Sequence, residues 1–395
     1  MPDISVGAQT FDLIFHPTES IVYAGLLTGE VKAFGYDEQG QHDQRFTLKP
    51  SKRSCRGLAI DEQGDHIWSV GKGKSLCTID TRTAQITNTR PAVHDAPINR
   101  VRYVSQHLLA TGDDDGTVKL WDSRTPAEIR AYNHHFDFIS DFLWLSDKRH
   151  LVVTSGDGTL SVLDIRSSKT TPLAQSEDQE DELLSAVAIK GGQKVVVGTQ
   201  MGILSIFNRK SGWGDCVDRV PGHPHSIDTL SALPSSYPSS HSTILTGSSD
   251  GLIRVVQLLP TKLLGIVTDH GDYPVERIVI DRAGEGHWVG SVGHEDVLKL
   301  TDLKDIFEDE DEDDAEGEVS ENADSENERP DVIVPEMVKE EKKKAEGWDT
   351  DEPESEGEPK SKKRKKKQTK VPLAKKREKK GKNQIVTDPS FFSGL

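Results

Sequence analysis

Three observations predict an all-β fold for this sequence, a seven-bladed β-propeller followed by a disordered charged tail. One strand pattern recurs seven times, a second strand pattern precedes each copy, and Asp-Gly or Gly turns punctuate the units. The recurring pattern reads "GEVKAFGYD" from Gly29, "KSLCTIDTR" from Lys74, "GTVKLWDSR" from Gly116, "GTLSVLDIR" from Gly158, "GILSIFNRK" from Gly202, "GLIRVVQLL" from Gly251 and "DVLKLTDLK" from Asp296. Phe34, Ile79, Trp121, Leu163, Phe207, Val256 and Thr301 fall in one column, separated by 45, 42, 42, 44, 49 and 45 residues. A period of that size marks a repeat fold, because one such unit cannot bury its own faces and must stack on its neighbours.

The elements follow from local patterns. In "TVKLWD", Val118, Leu120 and Asp122 alternate with Thr117, Lys119 and Trp121, the two-residue period of a strand. "LLATG" precedes it, and an Asp-Gly between two such runs is a strong hairpin signal, because the turn needs residues that tolerate positive φ. The upstream strands are "FDLIFHP", "CRGLAID", "INRVRYV", "ISDFLWL", "LLSAVAI", "IDTLSAL" and "VERIVID", so each unit has at least three strands and room for a fourth. The units span about residues 11–37, 55–83, 98–124, 139–167, 183–210, 227–260 and 275–306 of a ring covering 1–307. The last unit has only three strand signals before Ile306. The segment "DISVGAQ" at residues 3–9 is therefore expected to supply its fourth strand and close the ring, since an open sheet edge is a template for aggregation.

Other uses of the same residues fail on spacing. Asp113, Asp114 and Asp115 are adjacent, and the twelfth position counted from Asp113 is Arg124, whereas a calcium loop needs alternating oxygen ligands and a Glu at that place. "GKGKS" at residues 71–75 ends like a phosphate loop, yet Trp68 occupies the position that must be Gly, and the segment fits the hairpin turn of repeat 2. His134 with His135, and His223 with His225, lie in connections between repeats with no Cys or third ligand beside them, and read as structural rather than metal-binding. No arrangement of nucleophile, base and orienting group can be read. The expectation is a protein with no catalytic residue, no cofactor and no metal.

These repeats resemble the WD40 family. Repeat 3 carries most of its pattern, with His94 in the incoming loop, Thr111 on one strand, Asp115 in the turn and Trp121 on the next strand. The resemblance implies that His94, Thr111, Asp115 and Trp121 form a buried hydrogen-bonded set, and an indole N–H and a carboxylate do require partners once buried. Repeat 6 keeps Gly222 and His223 with Thr246 and Asp250 but has Val256 for Trp. "WDSR", with Asp122 and Arg124, also resembles the motif by which some WD-repeat proteins dock to a cullin-based ubiquitin ligase. Asp80 with Arg82 and Asp164 with Arg166 repeat the Asp-x-Arg in neighbouring units. The plainer reading is a surface ion pair worth about 0.2–1 kcal/mol.

Charge divides the rest of the chain. Residues 308–359 form an acidic linker with 24 Asp and Glu against 5 Lys and Arg, net −19, and residues 360–382 carry 14 Lys and Arg against Glu378, net +13. The ring holds 40 acids and 30 bases, net −10. With almost no large apolar side chains the acidic stretch cannot form a core and is expected to be disordered. It is expected to serve as a solvated spacer, as a contact surface for basic proteins or as a shield against non-specific RNA binding, and Ser325 and Ser355, each with Glu three residues on, fit acid-directed phosphorylation. The basic block has one cluster of Lys362, Lys363, Arg364, Lys365, Lys366 and Lys367, and another that includes Lys375, Lys376 and Arg377. It reads as a signal for a nuclear import receptor, and equally as a phosphate-binding segment that would contact RNA without reading sequence, since no aromatic side chains interleave with the lysines. At residues 383–395 the charge run stops, and Phe391, Phe392 and Leu395 look like a short docking motif, unless they are an incidental terminus.

Cys55, Cys77 and Cys216 are odd in number and lack a CxxC, which points to a reducing compartment. No apolar run reaches roughly 18 residues and no charged-then-apolar leader is present, so no membrane association is expected. In its order of ring, acidic stretch, lysine block and terminal "DPSFFSGL", the chain resembles the nucleolar WD-repeat proteins of the fungal Jip type, with WD repeat-containing protein 55 as their animal relative. The resemblance implies a nucleolar scaffold that contacts proteins of pre-ribosomal large-subunit particles and supports ribosomal RNA maturation. A substrate receptor bound to a cullin ligase adaptor is the competing expectation.

Overall fold

The computed structural model describes residues 2–307; the acidic linker, the lysine block and the terminal Phe391, Phe392 and Leu395 lie outside the described residues. Within them the chain forms seven four-stranded antiparallel sheets. Six blades each use four consecutive strands. The seventh joins Val275–Ile280, Trp288–Gly293 and Val297–Asp302 to the N-terminal strand Asp3–Ser5, through Asp3↔Lys299, Ile4↔Leu298 and Ser5↔Val297. The fourth strand of the last blade therefore comes from the start of the chain. Ile4 and Val6 are fully buried there, packed with Trp288, Leu298 and Leu300, and the Val6 amide donates to the Asp296 carbonyl at 2.8 Å.

The column of the seven repeats is a structural column. Phe34, Ile79, Trp121, Leu163, Phe207, Val256 and Thr301 pair with Val22, Ile67, Leu109, Leu151, Val195, Ile244 and Val289 respectively. All of these are buried. The cores lie between blades: Val104, Val118 and Tyr132 of blade 3 pack with Phe142, Val153 and Leu163 of blade 4. Two-residue alternation sends one set of side chains to each neighbouring blade, so the middle strands are buried on both faces.

Antiparallel order defines the two faces of the ring. The loop leading into each blade and the turn between its second and third strands share one face, the entry face, and the other turns share the exit face. The innermost strands line a central channel, where polar side chains lace each blade to the next. Asp12 Oδ2 accepts the Leu58 amide at 2.7 Å, Arg56 donates to Asn99 at 2.6 Å and Arg100 Nε to the Ser140 carbonyl at 2.6 Å. Asp141 accepts the Ala186 amide at 3.2 Å, Ser185 donates to the Ile227 carbonyl at 3.0 Å and Thr229 accepts the Ile278 amide at 3.1 Å. Arg277 completes the circle, with Nε 3.2 Å from Asp12 Oδ1, off hydrogen-bonding geometry, and Nη1 3.6 Å from Asp141.

Candidate docking surfaces

On the entry face, blade 3 builds a buried polar set. His94 Nδ1 lies 2.7 Å from Asp113 Oδ2, its Nε2 2.7 Å from Thr111 Oγ1, and the Trp121 indole donates to the same hydroxyl at 2.8 Å. His94, Thr111 and Trp121 are together, but Asp115 is not with them. Its side chain is exposed, and the carboxylate in the set belongs to Asp113, which is 2 % exposed. The reason is strand parity: Thr111 and Asp113 are two residues apart on one strand and point the same way, whereas Asp115 lies beyond the strand in the turn. Asp113 also accepts the amides of Asp115 and Thr117 at 3.1 and 2.8 Å, and so shapes that turn. Gly116 completes it with φ +80, where a Cβ would sit 2.6 Å from the His135 carbonyl.

Two other blades build comparable sets with the acid in the turn. His135 bridges Asp157 at 3.0 Å and Ser161 at 2.8 Å. His270 bridges Glu295 and Ser291, the latter at 2.8 Å. Burial alone would raise Asp157, but hydrogen bonds from His135 and Thr159 hold its carboxyl well below the usual range. In blade 6, Asp250 is diverted to Arg254, 2.6 Å away, and to the Leu252 amide at 3.1 Å. His223 therefore keeps only Thr246, at 2.8 Å, and its buried Nδ1 has no partner. Burial pushes His223 down to about 4, and does the same to His134, which shares Ser161 with His135. His225 is exposed, and among the described residues no group of His, Cys, Asp and Glu is placed to hold a metal ion.

The channel opens on the entry face in a cavity of about 370 Å³ with walls of both charges, including Arg56, Arg100, Asp114, Asp228 and Glu276 beside Phe11 and Phe138. Burial raises Asp228 to about 6, with the neighbouring Glu276 pushing the same way. Glu276 in turn holds His294 above its ordinary value by hydrogen bonding. Deeper in, burial raises Asp12, while Asp141 and Asp12 outweigh burial at Arg277 and hold that guanidinium in its charged form. Around the mouth the face exposes Leu27, Phe136, Met201 and Tyr273, with Phe136 89 % exposed. Large apolar side chains presented in this way are what a protein partner can cover.

The Asp-x-Arg residues lie on the exit face, where the third strands of blades 2, 3 and 4 end. Arg124 makes a two-pronged pair with Asp122 at 2.9 and 2.7 Å, and Arg166 does the same with Asp164 at 2.9 and 2.9 Å. Those hydrogen bonds hold Asp122 well below the carboxylate range and Asp164 down to about 2. Blade 2 departs from this arrangement: Arg82 reaches Asp65 at 3.0 Å and Asp80 caps the Thr83 amide at 2.7 Å. Arg124 and Arg166 therefore present guanidinium edges on adjacent blades, and Arg82 is turned elsewhere.

The circle of inter-blade contacts in the channel is not legible in the sequence. Its members are single polar residues, the second or third of each inner strand, inside runs whose alternation is otherwise apolar. Only the sequence position of Asp12, Arg56, Asn99, Asp141, Thr229 and Arg277 within those runs carries a signal, and it becomes visible when the seven strands are placed side by side. Among the described residues no helix is long and apolar enough to cross a membrane.

The family model WDR55 matches residues 1–306. Over 324 residues the chain is 61% identical to WD repeat-containing protein JIP5 of Laccaria bicolor, covering 78% of this chain and 77% of that protein. It is 37% identical to WD repeat-containing protein 55 of Arabidopsis thaliana, over 78% of this chain and 84% of the relative, and 33% identical to the Rattus norvegicus protein of that name, over 76% of each.

Proposed function

The chain belongs to the WDR55 family of WD-repeat proteins, and from that premise we propose that it is a non-enzymatic scaffold of the nucleolus. In this reading it supports ribosomal RNA maturation and large-subunit assembly by holding proteins of pre-ribosomal particles. The observation that carries the reading is the union in one chain of a WDR55-type ring with an acidic stretch of net −19 and a lysine block of net +13. The lysine block would engage a nuclear import receptor and add electrostatic contact with RNA. The His94, Asp113 and Thr111 set is buried and enclosed, which suits a structural role. Purification of the tagged protein from cells, with mass spectrometry of its partners, should recover large-subunit assembly proteins. Depletion should lead to accumulation of large-subunit precursor RNA. Recovery of neither would sink the proposal.

A second reading, substrate receptor of a cullin-based ligase, is favoured by one observation. Arg124 and Arg166 stand exposed on neighbouring blades of a single face, each pre-set by its own aspartate. A pull-down of the ligase adaptor that is lost in Arg124→Ala/Arg166→Ala, with pre-ribosomal proteins absent from the same sample, would replace the first reading with this one.

A further inference from the structure

Blade 2 keeps its acids on the exit face and most of its cations on the entry face. Its acids Asp61, Glu62 and Asp65 lie in a turn of the exit face, between the strands Cys55–Ile60 and His66–Gly71. Its entry face carries Lys49, Lys52 and Arg53 in the incoming loop, Arg56 at the start of the inner strand, and Lys72 and Lys74 in the turn before Leu76–Asp80. The two segments touch: the Lys72 amide donates to the Ser54 carbonyl at 3.1 Å, and a Cβ on Gly73 would lie 2.6 Å from Ser51 Oγ. The loop is also backed by blade 1, since the Ser51 and Arg53 carbonyls stand 2.3 Å from where a Gly29 Cβ would be. These cations are therefore mounted on one braced surface.

Among the described residues, the side chains of three of them make neither an ion pair nor a hydrogen bond. Arg56 pairs with Asp114 at 3.0 Å, Lys49 is 3.7 Å from Glu30, and Lys74 Nζ reaches the Asp95 carbonyl. Lys52, Arg53 and Lys72 are exposed, and among the described residues none of them makes an ion pair. This is unusual on a ring of net −10. Across the ring, the incoming loop of blade 5 holds Glu177, Asp178, Glu180 and Glu182, all exposed, so the entry face is basic at one side and acidic at the other.

We propose that the blade 2 entry surface binds the phosphodiester backbone of RNA. A protein partner needs an apolar or aromatic anchor at the centre of its contact, and none of the large exposed apolar side chains falls in this loop or this turn. A backbone of regularly spaced phosphates needs only cations, and it supplies enough charge density to approach an otherwise acidic ring. With no exposed aromatic side chain in the patch to stack on bases, binding is independent of sequence. The patch stands on blade 2 alone; that its polyanion is RNA rather than DNA rests on the nucleolar reading, whose own test, purification of partners, is separate from the one below.

The test uses the full chain with the lysines and arginines at positions 362–367 and 375–380 replaced by glutamine, so that the ring's own affinity is visible. Binding of a labelled single-stranded RNA of about 20 nucleotides is measured between about 50 and 200 mM salt, with and without Lys52→Ala/Arg53→Ala/Lys72→Ala. The triple substitution should weaken binding by about tenfold or more and flatten the slope of log affinity against log salt by about 2, equally for unrelated RNA sequences. Ultraviolet crosslinking of RNA to the unaltered chain should label peptides containing residues 49–56 and 71–75. Unchanged RNA affinity together with crosslinks confined to other segments would overturn the proposal. So would a variant that keeps its RNA affinity but loses binding to an acidic peptide of residues 308–330, which would make the patch a reader of carboxylates.

Discussion

At the scale of single residues, the aspartates at 113 and 115, two positions apart, divide their work. Asp113 holds His94 and two turn amides from a buried position, and Asp115 touches solvent. Asp113→Ala should therefore cost about 2–4 kcal/mol, because it removes charge-assisted bonds and leaves a buried imidazole nitrogen unpaired. Asp115→Ala should stay within about 0.5 kcal/mol. Denaturant melts of the two variants check this, and equal losses would show that the turn rather than the set is what matters. Asp228 gives a prediction in pH. Its folded pKa of about 6 exceeds the ordinary 3.8, chiefly through burial, so the folded state holds the extra proton between those values. The protonated form's advantage is present below pH 3.8 and lost as pH rises through 6. Asp228→Asn should accordingly stabilise the ring by roughly 1–3 kcal/mol at pH 7.5 and by nothing near pH 3.5. Thermal melts across that range decide it, and a gain that did not depend on pH would show that the carboxylate is not desolvated.

At the scale of elements, the strand Asp3–Ser5 is three residues long and yet closes the ring. Ile4 and Val6 bury completely between the first and last blades, which is worth about 1.5–3 kcal/mol for each side chain. Its loss would also expose the Val297–Asp302 edge to other chains. Deletion of residues 1–9 should lower the melting temperature and produce oligomers by light scattering. A truncated ring that stays monomeric and melts unchanged would mean that closure rests on the Tyr36 hydroxyl bond to Asp281 and the blade 1–blade 7 core instead. The laced channel supplies another test. Arg277→Gln removes the guanidinium nearest both Asp12 and Asp141 while Arg102 still acts on both, and should cost up to about 3 kcal/mol. The double change to Asp12→Asn/Arg277→Gln should recover part of that loss. No recovery would show that the two residues act independently.

At the scale of the molecule, the ring keeps its two faces chemically distinct, and that separation would let the proposed scaffold hold more than one partner. The entry face has the charged channel mouth, exposed apolar side chains and the basic blade 2 sector. The exit face has the paired arginines of blades 3 and 4. On the proposed nucleolar function, a chain lacking residues 360–382 should leave the nucleolus, and an unrelated import signal should return it to the nucleus with only part of its nucleolar retention, because import needs one receptor-read peptide and retention would draw on many phosphate contacts. Full retention of the re-targeted chain, seen by fluorescence microscopy, would assign retention to the ring or the terminal phenylalanines.

By itself the sequence determined the number of blades, the register of their third strands and the origin of the closing strand. Each of these follows from a repeated two-residue alternation that any neighbour would enforce, with Phe34, Ile79, Trp121, Leu163, Phe207, Val256 and Thr301 marking the same place seven times. The resemblance to WD repeats also placed His94, Thr111 and Trp121 near one another, but assigned the carboxylate to Asp115. Choosing among three consecutive aspartates depends on where the strand stops and the turn begins, which is decided by hydrogen-bond pairing across the blade. Only the tertiary structure decided which polar residues face the channel, because Asp12, Asp141 and Arg277 lie far apart in the chain and meet only when the ring closes. The blade 2 patch was hidden for the same reason. "KPSKRS" and "GKGKS" are about twenty residues apart in sequence and become one charged surface only because antiparallel strands return both segments to the same face.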